Sequence, residues 1–188
     1  MDEAILDTGL RLFVDGGLAS ASFEAIAERT GASRSSIYRR WRTREELLLA
    51  AIERLRVQRE AGAEDWASRP IAELLDLFCE LTVVATSDPL SLGLLRQMLA
   101  LEPSNPIKRR YWSTVIAPRR EEFAKMILAA RHRGELPPGP EPELAQDLLA
   151  GAIAYRLLMH PACPDEQEME SYVRRVLNVL GLDPSAVS

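Results

Sequence analysis

The chain has 188 residues, a mass of 21.0 kDa, 47% hydrophobic residues and a formal charge of −5 at pH 7. That apolar content supports a packed core, which excludes a disordered chain, and no stretch approaches the roughly 18 uncharged apolar residues of a membrane span. Because the chain begins with the acidic Met1-Asp2-Glu3, we expect no signal peptide, no membrane contact and a cytoplasmic protein.

The composition favours helices. Aromatic residues make up only 6% of the chain, Leu and Ala recur throughout, and 12 Pro residues punctuate it, which indicates an all-α protein rather than a β-sandwich or barrel. Cys79 and Cys163 are far apart in sequence, and His132 and His160 are the only imidazoles. We therefore expect no disulfide framework, no metal site and no cofactor.

The negative charge is unevenly distributed. An acidic balance disfavours nucleic acid as a partner, and residues 61–188 hold 13 Lys plus Arg against 18 acids. Residues 1–60 instead contain ten Arg and ten acids, with a local excess of six arginines and no acid over residues 29–44. We interpret that basic segment as the part that faces a polyanion, while the acidic half stays away from it.

Three short helices are predicted first. Apolar side chains recur at helical spacing over residues 2–15, and Gly16-Gly17 supplies a stop. Ser22 is expected to cap a second helix over residues 23–30. After a break at Gly31-Ala32, Ser33 is expected to cap a third over residues 34–41.

The rest of the chain is also predicted to be helical. Thr43 and Glu46 have capping-box spacing before a fourth helix that reaches about residue 60. Pro118 is expected to kink or divide a later helix, because proline lacks a backbone donor and crowds the preceding turn. These later helices are predicted to span residues 70–84, 89–101, 107–133, 143–160 and 165–180.

The second and third helices have the arrangement of a helix-turn-helix, with Ile37 and Trp41 facing inward and Tyr38 packing its ring while its hydroxyl points outward. Such packing holds the third helix at the surface, where its leading side chains can enter a major groove. Arg and Ser suit base edges, and further Arg and Tyr side chains suit phosphates. We predict base contacts from Arg34, Ser35 and Ser36, and phosphate contacts from Tyr38, Arg39, Arg40, Arg42 and Arg44.

The same segment carries a family resemblance. Residues 13–47, and above all Tyr38-Arg39-Arg40-Trp41-x-x-Arg44-x-x-Leu47 behind Gly31-Ala32-Ser33, resemble the N-terminal domain of tetracycline-repressor-like (TetR family) regulators. The resemblance implies an all-helical homodimer whose three DNA-binding helices are joined through a fourth to a regulatory domain. It implies a repressor that a small molecule releases from its operator, with Ser22 and Tyr38 on phosphates and Arg44 on the DNA backbone. We expect a DNA-binding domain over 1–46 and a ligand-binding and dimerisation domain over 47–188.

The last two predicted helices suggest a dimer. The helix over residues 143–160 has more than one apolar stripe, so it needs two partners. We infer a twofold four-helix bundle that sets two recognition helices about 34–36 Å apart on a palindrome; the alternative is a monomer that buries both faces. The predicted interface consists of Leu149, Ile153, Leu157, Tyr172, Val176 and Val179.

An effector pocket is expected among the middle helices, where apolar side chains are mixed with a few hydroxyl and indole groups. We expect a hydrophobic or amphipathic small molecule; taken singly, each of these side chains is more often a residue of the ordinary core than a ligand contact. The candidate lining residues are Phe78, Thr82, Met98, Leu101, Trp112, Ile116, Phe123, Met126, Ile127 and Tyr155.

Catalysis is not expected. His160 and Cys163 flank a proline-rich connector with no orienting carboxylate or amide, so we interpret it as a helix break and not as a thiol nucleophile. No catalytic or phosphate-binding motif is present to support an enzyme. A single arginine is usually a solvated surface charge, and an alternative to DNA binding is a helical module whose Arg-rich helix docks an acidic protein.

Overall fold

The computed structural model describes residues 1–59, 69–161 and 164–182, and every regular element in these ranges is helical. This confirms the predicted all-α fold. The chain divides into two compact units, one drawn from residues 1–62 and 89–117 and the other from residues 63–88 and 118–188. The helices are α1 (Asp2–Ser20), α2 (Phe23–Thr30), α3 (Arg34–Arg40), α4 (Arg44–Arg59), α5 (Ile71–Ser87), α6 (Pro89–Ala100), α7 (Pro106–Tyr111), α8 (Ala117–His132), α9 (Pro142–Met159) and α10 (Glu166–Val179).

Helix α1 is interrupted at Gly16-Gly17, where the stop was predicted. Gly17 has φ 74°, a backbone region that glycine enters without steric cost. Close to this break, α6 approaches α1: the side chain of Gln97 donates a hydrogen bond of 3.2 Å to the Val14 carbonyl. A Cβ at Gly93 would overlap Val14 Cγ1, so the two helices meet where α6 carries no side chain.

One apolar core holds the first unit together. Ile5 of α1, Ile26 of α2, Ile37 of α3 and Leu47 of α4 are all fully buried in it, and Met98 of α6 is 4% exposed. Helices as short as α2 and α3 are not stable alone. Since each buried aliphatic side chain contributes about 1.5–3 kcal/mol, this shared core keeps α3 in place.

In the second unit, a distant carboxylate satisfies the start of α5. Pro70 precedes this helix and provides no side-chain cap, and the Ile71 amide donates a hydrogen bond of 3.0 Å to Glu135. Arg133 holds the same carboxylate. The hydrogen bond from Arg133, followed by that from Ile71, lowers the pKa of Glu135 below its usual value.

Helices α5 and α10 pack together around an ion pair and a buried thiol. Arg174 lies 2.7 Å from Asp76 and 2.9 Å from Glu170. Cys79 is fully buried beside them, and this burial raises the pKa of its thiol. Asp165, where the last helix was predicted to begin, caps α10 and accepts a hydrogen bond of 2.8 Å from the Glu168 amide; Cys163 lies outside the described residues.

The division of the predicted helix 107–133 occurs before Pro118. A π-helical turn, Trp112–Ile116, separates α7 from α8, and Pro118 is the second residue of α8. In this wider turn the Ala117 amide donates to the Trp112 carbonyl, a spacing of five residues. The hydrogen-bonding pattern therefore changes at Ala117, one residue before the proline. Proline has no backbone N–H and cannot donate the hydrogen bond of an ordinary α-helix.

Within the described ranges, no single helix combines the length and apolarity needed to cross a membrane. Helices α5 and α6 meet that test only when they are counted together across the break at Asp88.

Candidate DNA-binding interface

Two serine caps and one glycine define the geometry of the α2–α3 motif. Ser22 Oγ accepts a hydrogen bond of 3.2 Å from the Ala25 amide at the start of α2. Gly31 ends α2 with φ 70°, and Ser33 Oγ accepts a hydrogen bond of 3.2 Å from the Ser36 amide at the start of α3. Both predicted caps and the predicted turn are confirmed, because each follows from local backbone chemistry.

The inner face of α3 fixes the helix to the core. Ile37 is fully buried, and Trp41 is half-buried against the core instead of lying inside it as expected. The Tyr38 ring meets the Phe23 ring edge-on at a centroid distance of 4.7 Å, yet Tyr38 remains 52% exposed. This geometry agrees with the expectation that Tyr38 packs its ring and leaves part of the side chain outside.

The leading end of α3 is exposed. The Arg34 guanidinium lies 3.6 Å from Glu24 at the start of α2, with 64% of the Arg34 side chain exposed. Ser35 is exposed and its Oγ lies 3.1 Å from Ser33 Oγ. These contacts with mostly exposed partners cost little to break, so Arg34 and Ser35 are available to an incoming ligand.

The two adjacent arginines at the end of α3 differ sharply. Arg39 is exposed and, among the described residues, has no hydrogen-bond or ion-pair partner. Arg40 instead has its Nε 2.9 Å from Asp2 of α1, and its Nη1 donates to Ser36 Oγ at 2.6 Å and to the Ser36 carbonyl at 3.1 Å. The predicted contacts Ser36 and Arg40 are thus engaged with each other, whereas Arg39 has no partner within the described ranges.

Arg44 occupies the start of α4. Its Nη1 donates to the Leu18 carbonyl at 3.3 Å and its Nε lies 3.3 Å from Glu45. Half of the predicted capping box is present: Thr43 Oγ1 accepts from the Glu46 amide at 3.1 Å, but the Glu46 carboxylate accepts the Arg42 amide at 2.7 Å rather than that of Thr43. Arg44 is 43% exposed at its side chain, next to a positively polarised helix end.

Two acidic residues of this site, Asp2 and Glu24, were absent from the predicted contacts. Asp2 lies 38 residues from Arg40 in sequence, and no local pattern links the two. Glu24 lies in the first turn of α2, where the helix dipole favours a negative charge. Asp2 thus pairs with Arg40 and Glu24 with Arg34, so two arginines of α3 have carboxylate partners within the protein.

The predicted effector residues are distributed over both units. Phe78 and Phe123, with ring centroids 5.7 Å apart, belong to the second unit, where Tyr155 is 69% exposed. Met126, Ile127 and Thr82 also lie in the second unit, and Met98, Leu101, Trp112 and Ile116 lie in the first. None of them lines the surface cavity of about 210 Å³ that is formed by Leu49, Ala50, Ile52, Glu53, Arg110 and Thr114.

The predicted dimer residues also differ in exposure. Leu149 and Leu157 are buried at 3% and 6% exposure, whereas Val179 is 86% exposed. Ile153, Tyr172 and Val176 are half-buried, and the Tyr172 hydroxyl donates to the Ala152 carbonyl at 3.3 Å. The opposite side of α9 carries four exposed apolar side chains, here called the α9 outer stripe: Leu144, Leu148, Tyr155 and Met159.

The helical fold and the surface of α3 define a helix-turn-helix protein. The family described as "Bacterial regulatory proteins, tetR family" matches residues 5–51, and "Tetracyclin repressor-like, C-terminal domain" matches residues 70–176. The second match alone covers more than half of the chain. The chain therefore belongs to the TetR family of transcriptional regulators, which confirms the resemblance noted from its sequence.

Individual relatives agree with this assignment. The HTH-type transcriptional regulator AqdR of Rhodococcus erythropolis is 26% identical over 155 residues, covering 80% of this chain and 71% of AqdR. SmeT, the repressor of the Stenotrophomonas maltophilia multidrug efflux pump SmeDEF, has a TM-score of 0.75 at 20% identity, with 100% of this chain and 96% of SmeT covered.

Two similar structures contain small molecules. A complex of SmeT with triclosan has a TM-score of 0.73 at 19% identity, covering 95% of this chain and 90% of that one. A putative regulator from Saccharomonospora viridis in complex with choline has a TM-score of 0.73 at 17% identity, covering 94% of this chain and 95% of that one. At these identities the likeness establishes the shared fold.

Proposed function

We propose that this regulator is a cytoplasmic homodimeric repressor that binds a palindromic operator and is released by a small hydrophobic or amphipathic effector. The observation that carries the DNA-binding part is the exposed surface of α3, where Arg39 has no partner among the described residues and Arg34 and Ser35 stand at the leading end. Exposed guanidinium groups beside hydroxyls suit the combined reading of phosphates and base edges.

The assignment of roles follows from the position and exposure of each side chain. Arg34 and Ser35 are proposed to read base edges, because they occupy the exposed first turn of α3. Ser22 and Tyr38 are proposed to contact phosphates, and Arg39 and Arg44 to neutralise them. We also propose a DNA-binding domain over residues 1–46 and a regulatory domain over residues 47–188.

Dimerisation is proposed through α9 and α10. The α9 outer stripe exposes Leu148 at 49% and Tyr155 at 69%, and a Cβ at Gly151 between them would meet nothing within 4 Å. An exposed apolar helix face of this kind favours dimerisation, because in a twofold dimer the same face of each protomer buries that of the other. Leu149 and Leu157 then support the interface from inside, while Val179 is proposed to contact the partner.

Effector binding is proposed in the second unit, near the contact between Phe78 and Phe123. Phe123 shares α8 with the buried apolar side chains of Met126 and Ile127, which suits a hydrophobic ligand. SmeT with triclosan and the Saccharomonospora protein with choline are precedents for small molecules on this fold. Coupling between the two sites is reciprocal, so operator DNA must weaken effector binding by the same factor.

Gel retardation with the DNA upstream of the coding sequence tests the proposal. We expect binding of the purified protein in the ~10⁻⁸–10⁻¹¹ M range, weakened at least tenfold by Arg39→Ala combined with Arg44→Ala. Arg96→Ala combined with Arg109→Ala is the matched control, because it removes two exposed arginines of the same unit from α6 and α7, outside the helix-turn-helix. Unchanged binding by the double variant would reject the proposed surface.

Competition separates the proposal from an acidic-protein docking module. A sequence-specific reader prefers one duplex over a scrambled duplex and over heparin at equal charge, because base contacts add to the phosphate term. Equal displacement by heparin, scrambled DNA and upstream DNA would favour the docking module.

A further inference from the structure

Arg40 is the most constrained arginine of α3. Its Nε lies 2.9 Å from one Asp2 carboxylate oxygen and 3.0 Å from the other. Its Nη1 donates to both the hydroxyl and the carbonyl of Ser36, one helical turn earlier. The guanidinium is therefore held by Asp2 of α1 and by Ser36 of α3 at the same time, and only 33% of the Arg40 side chain is exposed.

The neighbouring row of α3 has the opposite character. Ser35 and Arg39, like Ser36 and Arg40, are four residues apart and share one helix face. Arg39 has no hydrogen-bond or ion-pair partner in the described part of the chain. Among the described residues, the face with Ser35 and Arg39 thus presents an unpaired cation, whereas the Arg40 cation on the neighbouring face is already paired with a carboxylate from α1.

We propose that Asp2 is a specificity-determining positioning residue that holds Arg40 against α3 and keeps this guanidinium away from DNA phosphates. The inference rests on the proposed DNA-binding function and extends it to which arginine contacts DNA. Non-specific affinity depends on how many phosphates are neutralised. Withholding one cation per recognition helix therefore lowers binding to every duplex, while the base contacts of Arg34 and Ser35 are retained.

The geometry explains why this pairing holds. An isolated ion pair with a carboxylate that is 51% exposed contributes little. Here Ser36 supplies two further acceptors for the same guanidinium, so release of Arg40 breaks several contacts together. Asp2 is also the first residue of α1, where a negative charge is favoured by the helix dipole.

Asp2→Asn and Asp7→Asn provide a matched pair of variants. Both remove one negative charge from exposed carboxylates of α1, but Asp7 pairs with Arg54 of α4 and not with the recognition helix. Affinity for a scrambled duplex and for the upstream duplex is measured from 50 to about 300 mM salt, with thermal unfolding as a check on the fold. Asp2→Glu serves as the conservative rescue.

We expect Asp2→Asn to strengthen binding to the scrambled duplex about five- to tenfold near 0.1 M salt, and to steepen the log–log salt slope by about 0.9 for each recognition helix. The preference for the upstream duplex falls, because the added contact does not read sequence. Asp7→Asn keeps the wild-type slope, and Asp2→Glu restores it. Adding Arg40→Ala to Asp2→Asn abolishes the gain.

Two results would overturn the inference while leaving the proposed function intact. One is an equal effect of Asp2→Asn and Asp7→Asn, which would mean a general charge effect. The other is an Arg40→Ala variant whose salt slope falls as much as that of Arg39→Ala, which would mean that Arg40 already contacts phosphate in the wild-type complex. Failure of the wild type to bind any duplex would instead reject the proposed function.

Discussion

The ring of Tyr38 stands edge-on to the ring of Phe23, with centroids 4.7 Å apart and planes at 86°. This contact joins the recognition helix α3 to the first residue of α2, so the two helices of the motif are tied together by aromatic packing as well as by the buried Ile37. Such pairs contribute about 0.5–1.5 kcal/mol beyond area burial. Tyr38 can therefore support the fold and contact DNA at once.

Two substitutions separate these roles of Tyr38. Tyr38→Phe keeps the ring, so we expect the free energy of unfolding to change by less than about 0.5 kcal/mol, while DNA binding weakens by about 1.5 kcal/mol per protomer through loss of a bond to a charged phosphate. Tyr38→Ala is expected to reduce both. Denaturant unfolding and gel retardation measure the two quantities, and wild-type DNA affinity in Tyr38→Phe would show that the hydroxyl contacts no phosphate.

The turn between α2 and α3 requires a left-handed backbone conformation at Gly31. Its φ is 70°, and a Cβ at this position would meet nothing within 4 Å, so Gly31→Ala adds backbone strain without a steric clash. We expect a loss of about 1–2 kcal/mol in unfolding free energy. Gly31→Asn is the control and should lose less, because asparagine enters the left-handed region more readily. Equal losses for both variants would contradict this explanation.

The proposed dimer predicts a position-dependent effect of a buried charge. Tyr155→Glu, in the α9 outer stripe, is expected to shift the protein from dimer to monomer in sedimentation experiments, because an unpaired carboxylate is costly in an apolar interface. Val84→Glu is the control, since Val84 of α5 is 66% exposed and Tyr155 is 69% exposed. A Tyr155→Glu protein that remains dimeric would exclude the stripe as the interface.

Glu135 should give the second unit a pH-dependent stability. Its pKa is lowered in the folded state by Arg133 and by the Ile71 amide, so its contribution is complete above the unfolded value of about 4.3 and is lost as the pH falls through the folded pKa. Glu135→Ala is expected to cost about 1 kcal/mol at pH 7, as for loss of a helix cap. The difference from wild type should shrink below about pH 4.

Urea unfolding at several pH values checks this prediction. Glu121→Ala is the charge-matched control, because Glu121 is exposed on α8 in the same unit. A wild-type advantage that stays constant down to about pH 3 would mean that the carboxylate charge does not contribute.

The parts of the fold that the sequence determined by itself are those with local causes. Ser22 and Ser33 cap helices that begin at the next residue, and Gly17 and Gly31 adopt positive φ where breaks were expected. Caps and turns depend on side chains within about three residues of one another. The basic segment of α3, and with it the family, was readable for the same reason.

The tertiary structure alone decided which of these side chains are free. Asp2 and Arg40 are 38 residues apart, and Glu135 and Ile71 are 64 apart, so no sequence window contains either pair. The two apolar stripes of α9 were visible in the sequence, but their composition is alike, and only packing against the rest of the unit buries Leu149 and exposes Tyr155. Local chemistry sets where helices begin and end, whereas burial and pairing depend on which distant elements the fold brings together.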